Sequence, residues 1–175
     1  MARKSKSKMN DIALMIRDMV KSNQDILKLI KYTGTEIDIY SQPNLSGKDA
    51  REIVKKYILE RPKEFDDANM ACFIVMTYGR KLYHHDKNMF FNGNTFNFYI
   101  LAHNDIKVND YVGDRCLEIE AILEDIFGGS KLEGVTCKCS IVDSDFITAK
   151  NTNYSGRYVQ IAFSDFSRKG VTYGK

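Results

Sequence analysis

Cysteines, histidines and close carboxylate pairs are the residues of this chain equipped to hold a metal or attack a substrate. Cys137 and Cys139, with Cys72 and one of His84, His85 or His103, offer the soft sulfur and imidazole donors that suit zinc. Their spacing argues against it. A zinc knuckle presents its thiolates from a turn with two to four intervening residues, whereas Cys137 and Cys139 alternate along an apolar strand pattern. In an extended strand their Cα atoms stand about 6.6 to 6.8 Å apart, at the limit a disulfide tolerates. Cys116 and Cys72 also sit in apolar periodic segments, so buried, reduced thiols are expected at all four positions.

His84 and His85 are adjacent in a segment that reads as a loop, so their rings point in different directions, and no serine or cysteine nucleophile is paired with them. A surface or interface role is expected. Glu118 and Glu120, at i and i+2 of a predicted helix, do not share a face, and Asp143-Ser-Asp145 reads as a strand giving way to a turn. Neither pair makes the two-carboxylate metal site of a nuclease. There is no Gly-x-Gly-x-x-Gly and no Walker loop, and Gly128-Gly129 follows a helix where a phosphate cradle would precede one. The expectation is therefore no catalytic residue, no metal, no cofactor and no small-molecule substrate.

The chain has 175 residues, the size of one domain, and a chain this long buries roughly 70% of its unfolded surface without staples. Of its formal charge of +3, Arg3, Lys4, Lys6 and Lys8 supply +4, which leaves the remainder at −1. The sequence pI of 8.6 thus reflects the first residues. No apolar run reaches the roughly 20 residues that span a bilayer, and the basic start has no apolar stretch after it, so no membrane partner is expected. Residues 1–8 read as a basic flexible arm, 9–166 as a single α+β domain and 167–175 as a C-terminal tail. Clustered lysines gain affinity for nucleic acid by releasing counterions, so the arm is a candidate for non-specific DNA contact or a partner contact.

Ile12, Met15, Ile16 and Met19 keep helical spacing, and Ser22 or Asn23 re-caps the chain before Ile26, Leu27 and Ile30. Thr33 to Ser46 reads as a loop. Ser46 then starts a helix carrying Ala50, Ile53, Val54, Tyr57 and Ile58, which Pro62 ends. From Met70 to Tyr78 the residues are apolar on both faces, as in an inner strand. Thr95 to His103 puts Phe96, Phe98, Ile100 and Ala102 on one face. A helix is predicted from Asn109 or Asp110, with Ile119, Ile122, Leu123 and Ile126 as its stripe and Gly128-Gly129 as its stop. Thr136 to Val142 and Tyr158 to Phe163 alternate as half-buried antiparallel strands, joined by a polar connection from Asp143 to Arg157. The pattern predicts an α+β fold, a central antiparallel sheet of about four or more strands flanked by helices.

The run from Phe98 to Asp105, the helix end Ile122-Leu-Glu-Asp-Ile-Phe127, and the string Asn153-Tyr-Ser-Gly-Arg-Tyr-Val-Gln-Ile-Ala-Phe163 together resemble the small neck and tail-terminator proteins of tailed bacteriophages. The resemblance spans roughly residues 10 to 166. It implies a structural virion protein of the neck, made in the host bacterial cytoplasm, that closes as a hexameric ring on the tail tube and meets the head connector. Head-completion or stopper proteins and other head–tail adaptors are similar in size and role, and a non-viral adaptor module is a further reading. For a ring, the candidate contact residues are Tyr83, His84, His85, Met89, Phe90 and Phe91, in an aromatic segment between two strands. Asn151, Tyr154 and Arg157 are candidates for a second contact.

Overall fold

Asn23 breaks the first apolar stripe. Its side chain accepts the Ile26 amide at 3.0 Å, so the chain folds as two helices, α1 (Lys8–Ser22) and α2 (Gln24–Lys31), in place of one. The computed structural model describes residues 8–61, 68, 70–85, 89–129, 139–150 and 152–164, with backbone alone at 8–10, 80–85, 89–94 and 163–164. Lys8, assigned to the arm from its charge, is the first residue of α1. Ser46 caps α3 (Gly47–Tyr57) by accepting the Asp49 amide, the start that the sequence predicts. That helix ends at Tyr57, before Pro62, because Ile58–Leu59 is drawn off as a short strand, β1, parallel to the sheet.

The sheet is mixed and five-stranded, in the order β1-β2-β3-β7-β6. β2 (Cys72–His85) and β3 (Met89–His103) form a long antiparallel hairpin. This corrects the reading of residues 79–94 as a loop. Leu82, Tyr83, Phe90 and Phe91 have strong strand preference, and a ladder in register from Cys72↔Ala102 onward continues through them to His85↔Met89. After β3 come α4 (Asn104–Lys107), the two-residue strands β4 (Val108–Asn109) and β5 (Gly113–Asp114), and α5 (Arg115–Phe127). β6 (Ser140–Thr148) and β7 (Tyr154–Ser164) complete the sheet as a second hairpin. Asp143 and Asp145 therefore lie within a strand, and the connection is much shorter than its polar composition suggested. The expected strand residues 136–138 lie outside the described residues.

Helix α5 starts at Arg115, five residues after the predicted point. Asn109 does not cap a helix. Its carbonyl oxygen accepts the Tyr111 and Val112 amides, closing a tight turn that Gly113 completes at φ +71°. Asp114 is the true cap and accepts the Cys116 amide at 2.8 Å. At the other end Gly128 donates to the Glu124 carbonyl and Gly129 takes a φ of +74°, so the paired glycines stop the helix as the sequence predicts.

Alternation sorts the strand residues between two faces. Cys72, Ile74 and Met76 of β2, Phe96, Phe98, Ile100 and Ala102 of β3, and Val159 and Ile161 of β7 form one core with Ile12, Ile16 and Val20 of α1, the buried residues of α2, and Ile119, Leu123 and Phe127 of α5. Ala71, Phe73, Leu101 and Tyr154 form a smaller cluster on the opposite side with Tyr57, Leu59, Ile147 and Ala149. Gly156 sits where β3 and β7 come closest, and a Cβ there would fall on the Ile100 carbonyl. That glycine sets the approach of the two central strands.

Candidate functional site: a hairpin arm and two strand edges

β7 pairs with β3 as far as Gly93↔Ser164. Beyond it, from Leu82↔Asn92 to His85↔Met89, β2 and β3 pair only with each other among the described residues. A two-stranded ribbon without a third strand is marginal on its own in water, so this end of the hairpin gains by packing on something else. The candidate residues Tyr83, His84, His85, Met89, Phe90 and Phe91 all lie on it, as cross-strand neighbours: Tyr83 opposes Phe91, His84 opposes Phe90 and His85 opposes Met89.

The second proposed contact is not brought together as a surface. Tyr154 is 1% exposed, packed against Phe73 at 5.7 Å and edge-on to His103 at 5.3 Å. Arg157 is turned under α5. Its Nε donates to Glu120 Oε2 at 2.6 Å and its Nη2 donates to Ser144 Oγ at 2.7 Å, while Ser144 donates in turn to Glu120. This ties β6, β7 and α5 into one unit, and the Glu120 carboxylate raises the arginine pKa further. Asn151, Arg3, Lys4 and Lys6 lie outside the described residues.

The chemically equipped residues are dispersed. Glu120 is held by Arg157, Glu118 accepts a hydrogen bond from Tyr40, and Asp143 and Asp145 are exposed on β6. Among the described residues no group of three or more His, Cys, Asp or Glu could hold a metal ion. Cys72 and Cys116 are fully buried free thiols in contact with each other. That contact and burial together push the Cys116 pKa far up, and burial pushes Cys139 up to about 11. Thiols so shifted are poor nucleophiles near neutral pH. His103 is buried, with Nδ1 accepting the Asp105 amide at 3.3 Å as the cap of α4.

Three polar positions that the apolar pattern passes over hold the fold together. Arg115 is fully buried yet faces no carboxylate. Its Nη1 donates to the Leu29 and Tyr32 carbonyls at 2.7 and 2.9 Å, and its Nε to Ile106 O at 3.0 Å. A cation is favourable there because these carbonyls include the C-terminal end of α2, and burial lowers its pKa from a very high start. Asn109 donates to the carbonyls of Gly34, Thr35 and Ile37 and so fixes the loop after α2. Lys107 lies 3.3 Å from Ser155 Oγ and 3.4 Å from Asp114, with its Nζ 4.7 Å above the Phe146 ring. Ser155 already donates to Asn104 Oδ1 at 2.7 Å, so this cluster is a hydrogen-bonded brace between β7 and α4. The late position of Arg115, directly behind a helix cap, was the one available sequence signal.

An open groove of about 520 Å³ runs along α1, lined by Asp11, Leu14, Met15, Asp18, Met19 and Ser22. The helix was expected to bury Met15 and Met19. Its fully packed stripe is instead Ile12, Ala13, Ile16 and Val20, which leaves the methionines half-covered at the groove.

A family model, YomW, matches residues 23–163, from the cap of α2 into the last strand. The chain belongs to the YomW family. The match takes in the entire five-stranded sheet and α2 to α5, and leaves α1 outside. YomW is a family of Bacillus phage-region type, which points to a phage-associated origin for this chain. No curated protein matches it.

Proposed function

We propose that this YomW chain is a structural protein of a phage neck, a tail terminator that closes as a ring, hexameric by the resemblance above, on the tail tube and offers a surface to the head connector. The observation that carries the reading is the β2–β3 hairpin, whose far end runs past the rest of the sheet with Tyr83, Met89, Phe90 and Phe91 on it. Aromatic and methionine side chains dominate interface cores, and a rigid ribbon rooted in a packed sheet can present them to a neighbour. The phage-type family supports the setting. The reading is of a non-catalytic virion component, and the basic residues Arg3, Lys4, Lys6 and Lys8 serve a secondary contact with DNA or a partner. A stopper or head–tail adaptor uses the same kind of surface, and the partner protein distinguishes the two roles.

The test is native mass over a wide concentration range, with particles imaged from the same sample. Closure of six 20.1 kDa subunits gives annular particles of about 120 kDa. Replacing Phe90 and Phe91 together with Asp is expected to leave a folded monomer that does not assemble. Unchanged assembly removes the hairpin from the interface. Binding to tail-tube protein supports the terminator role, whereas binding to connector alone supports the stopper.

A further inference from the structure

Two edges of the sheet are left over. β6 pairs with β7 on one side only. β2 is paired with β3 along its whole length, but its outer edge meets β1 only at Ile74 and Val75. Among the described residues no strand pairs with that edge from Met76 to His85. The two open stretches are close in length, since β6 has 9 residues. A row of unpaired backbone N–H and C=O groups is a template for another strand.

Charge selects which strand. β6 reads Ser-Ile-Val-Asp-Ser-Asp-Phe-Ile-Thr, with two acids and no base, and Asp143, Asp145, Val142 and Phe146 are exposed, the last two at 45% and 53%. The open stretch of β2 carries Arg80 and Lys81 and no acid. Two copies of β6 side by side would set acids against acids, which costs stability, whereas β6 against β2 sets acids against bases. The bulge between Ile141 and Asp143 is a further device that discourages indiscriminate edge pairing.

We propose that β6 of one subunit adds to the outer edge of β2 in the next copy of this chain, continuing the sheet across the boundary by strand addition. Within one subunit β2 and β6 run in opposite directions, because each step of the order β2-β3-β7-β6 is antiparallel. Rotation about an axis along the strands preserves those directions, so the joined strands are antiparallel too. Since two different edges meet, the interface is heterologous, and the twist of the sheet turns each subunit relative to the last until the ring closes. The inference rests on the ring reading above and specifies its contact.

The experiment compares the full wild-type chain, the Asp143→Lys plus Asp145→Lys variant, and that variant combined with Arg80→Asp and Lys81→Asp. Each is measured by sedimentation velocity over a range of concentrations, with thermal unfolding as the check on folding. The first variant is expected to melt as the wild type does and to need roughly tenfold or more higher concentration to assemble. The combined variant is expected to recover assembly. If the wild type forms rings and the first variant does so equally well, the strand-edge contact is wrong and the ring reading stands. Loss without recovery overturns the pairing with β2. A wild type that stays monomeric at every concentration overturns both.

Discussion

The two faces of the sheet take alternate residues of the same strands and are built on different terms. Under the helices, Phe96, Phe98, Ile100, Val159 and Ile161 are fully buried in one continuous apolar core. On the other face Tyr99 and Tyr158 pack ring to ring at 5.2 Å, and Gln160 donates to Asn97 Oδ1 at 2.8 Å and to the Tyr158 hydroxyl at 2.7 Å. That side of β3 and β7 is knit by cross-strand pairs of modest individual worth, with an apolar cluster only at the end near Phe73 and Tyr154. Stability is concentrated on the helix side, while the hairpin end and the strand edges make smaller demands on the fold. Regions of the second kind are where a protein can carry contact residues without endangering its own core.

Arg115→Ala is the substitution expected to cost most, because it strands the buried carbonyls of Leu29, Tyr32 and Ile106 and opens a cavity between α2 and α5. A loss of about 4–5 kcal/mol in denaturant unfolding is anticipated, and a loss under 1 kcal/mol would show that the interior relaxes around the gap. The contrast between faces is tested on neighbouring residues of one strand. Phe98→Ala should cost about 3–4 kcal/mol and Tyr99→Ala about 1–2 kcal/mol, and equal losses would erase the distinction. The Glu120–Arg157 pair is partly exposed, with side-chain exposures of 10% and 24%, so Glu120→Gln should cost only about 1–2 kcal/mol, reduced by added salt.

The smallest effect is at Glu60, at the junction of β1 with α1. Lys21 donates to it at 3.1 Å, and that hydrogen bond, with Arg17 close by, holds its pKa below the ordinary carboxylate value of 4.5. A lowered folded-state pKa gives stability that is complete above the unfolded value and is lost as the pH falls through the folded one. Glu60→Gln should therefore slightly flatten the loss of stability below about pH 4.5, by well under 1 kcal/mol because the side chain is 48% exposed. A larger change in the acid unfolding curve would mean that α1 is held chiefly by this ion pair.

Much of the architecture was legible in the residues. Asn23 and Ser46 announced helix starts through their side-chain oxygens, the paired glycines announced the end of α5, and two-sided apolarity marked β2 as an inner strand. Chemistry limited to a single segment was harder to read. Asn109 looked like a helix cap because its alternative, a turn that also grips the Gly34–Ile37 loop, depends on residues more than seventy positions away. The aromatic segment after Tyr78 looked like a loop because its glycines and asparagines outweighed its strand formers until the hairpin ladder was in place. Tyr154 and Arg157 looked like surface residues because nothing nearby in sequence shows the helix and cluster that enclose them.

By itself the sequence determined the class of fold, the helix punctuation and the side of each strand that faces the helices, since these follow from local geometry and the periods of helix and strand. The tertiary structure alone decided the order of the strands, the length of the hairpin, the burial of Arg115 against the end of α2, and which strand edges are left without a partner. All of those are outcomes of long-range pairing, where backbone groups distant in sequence satisfy one another and no local pattern records the choice.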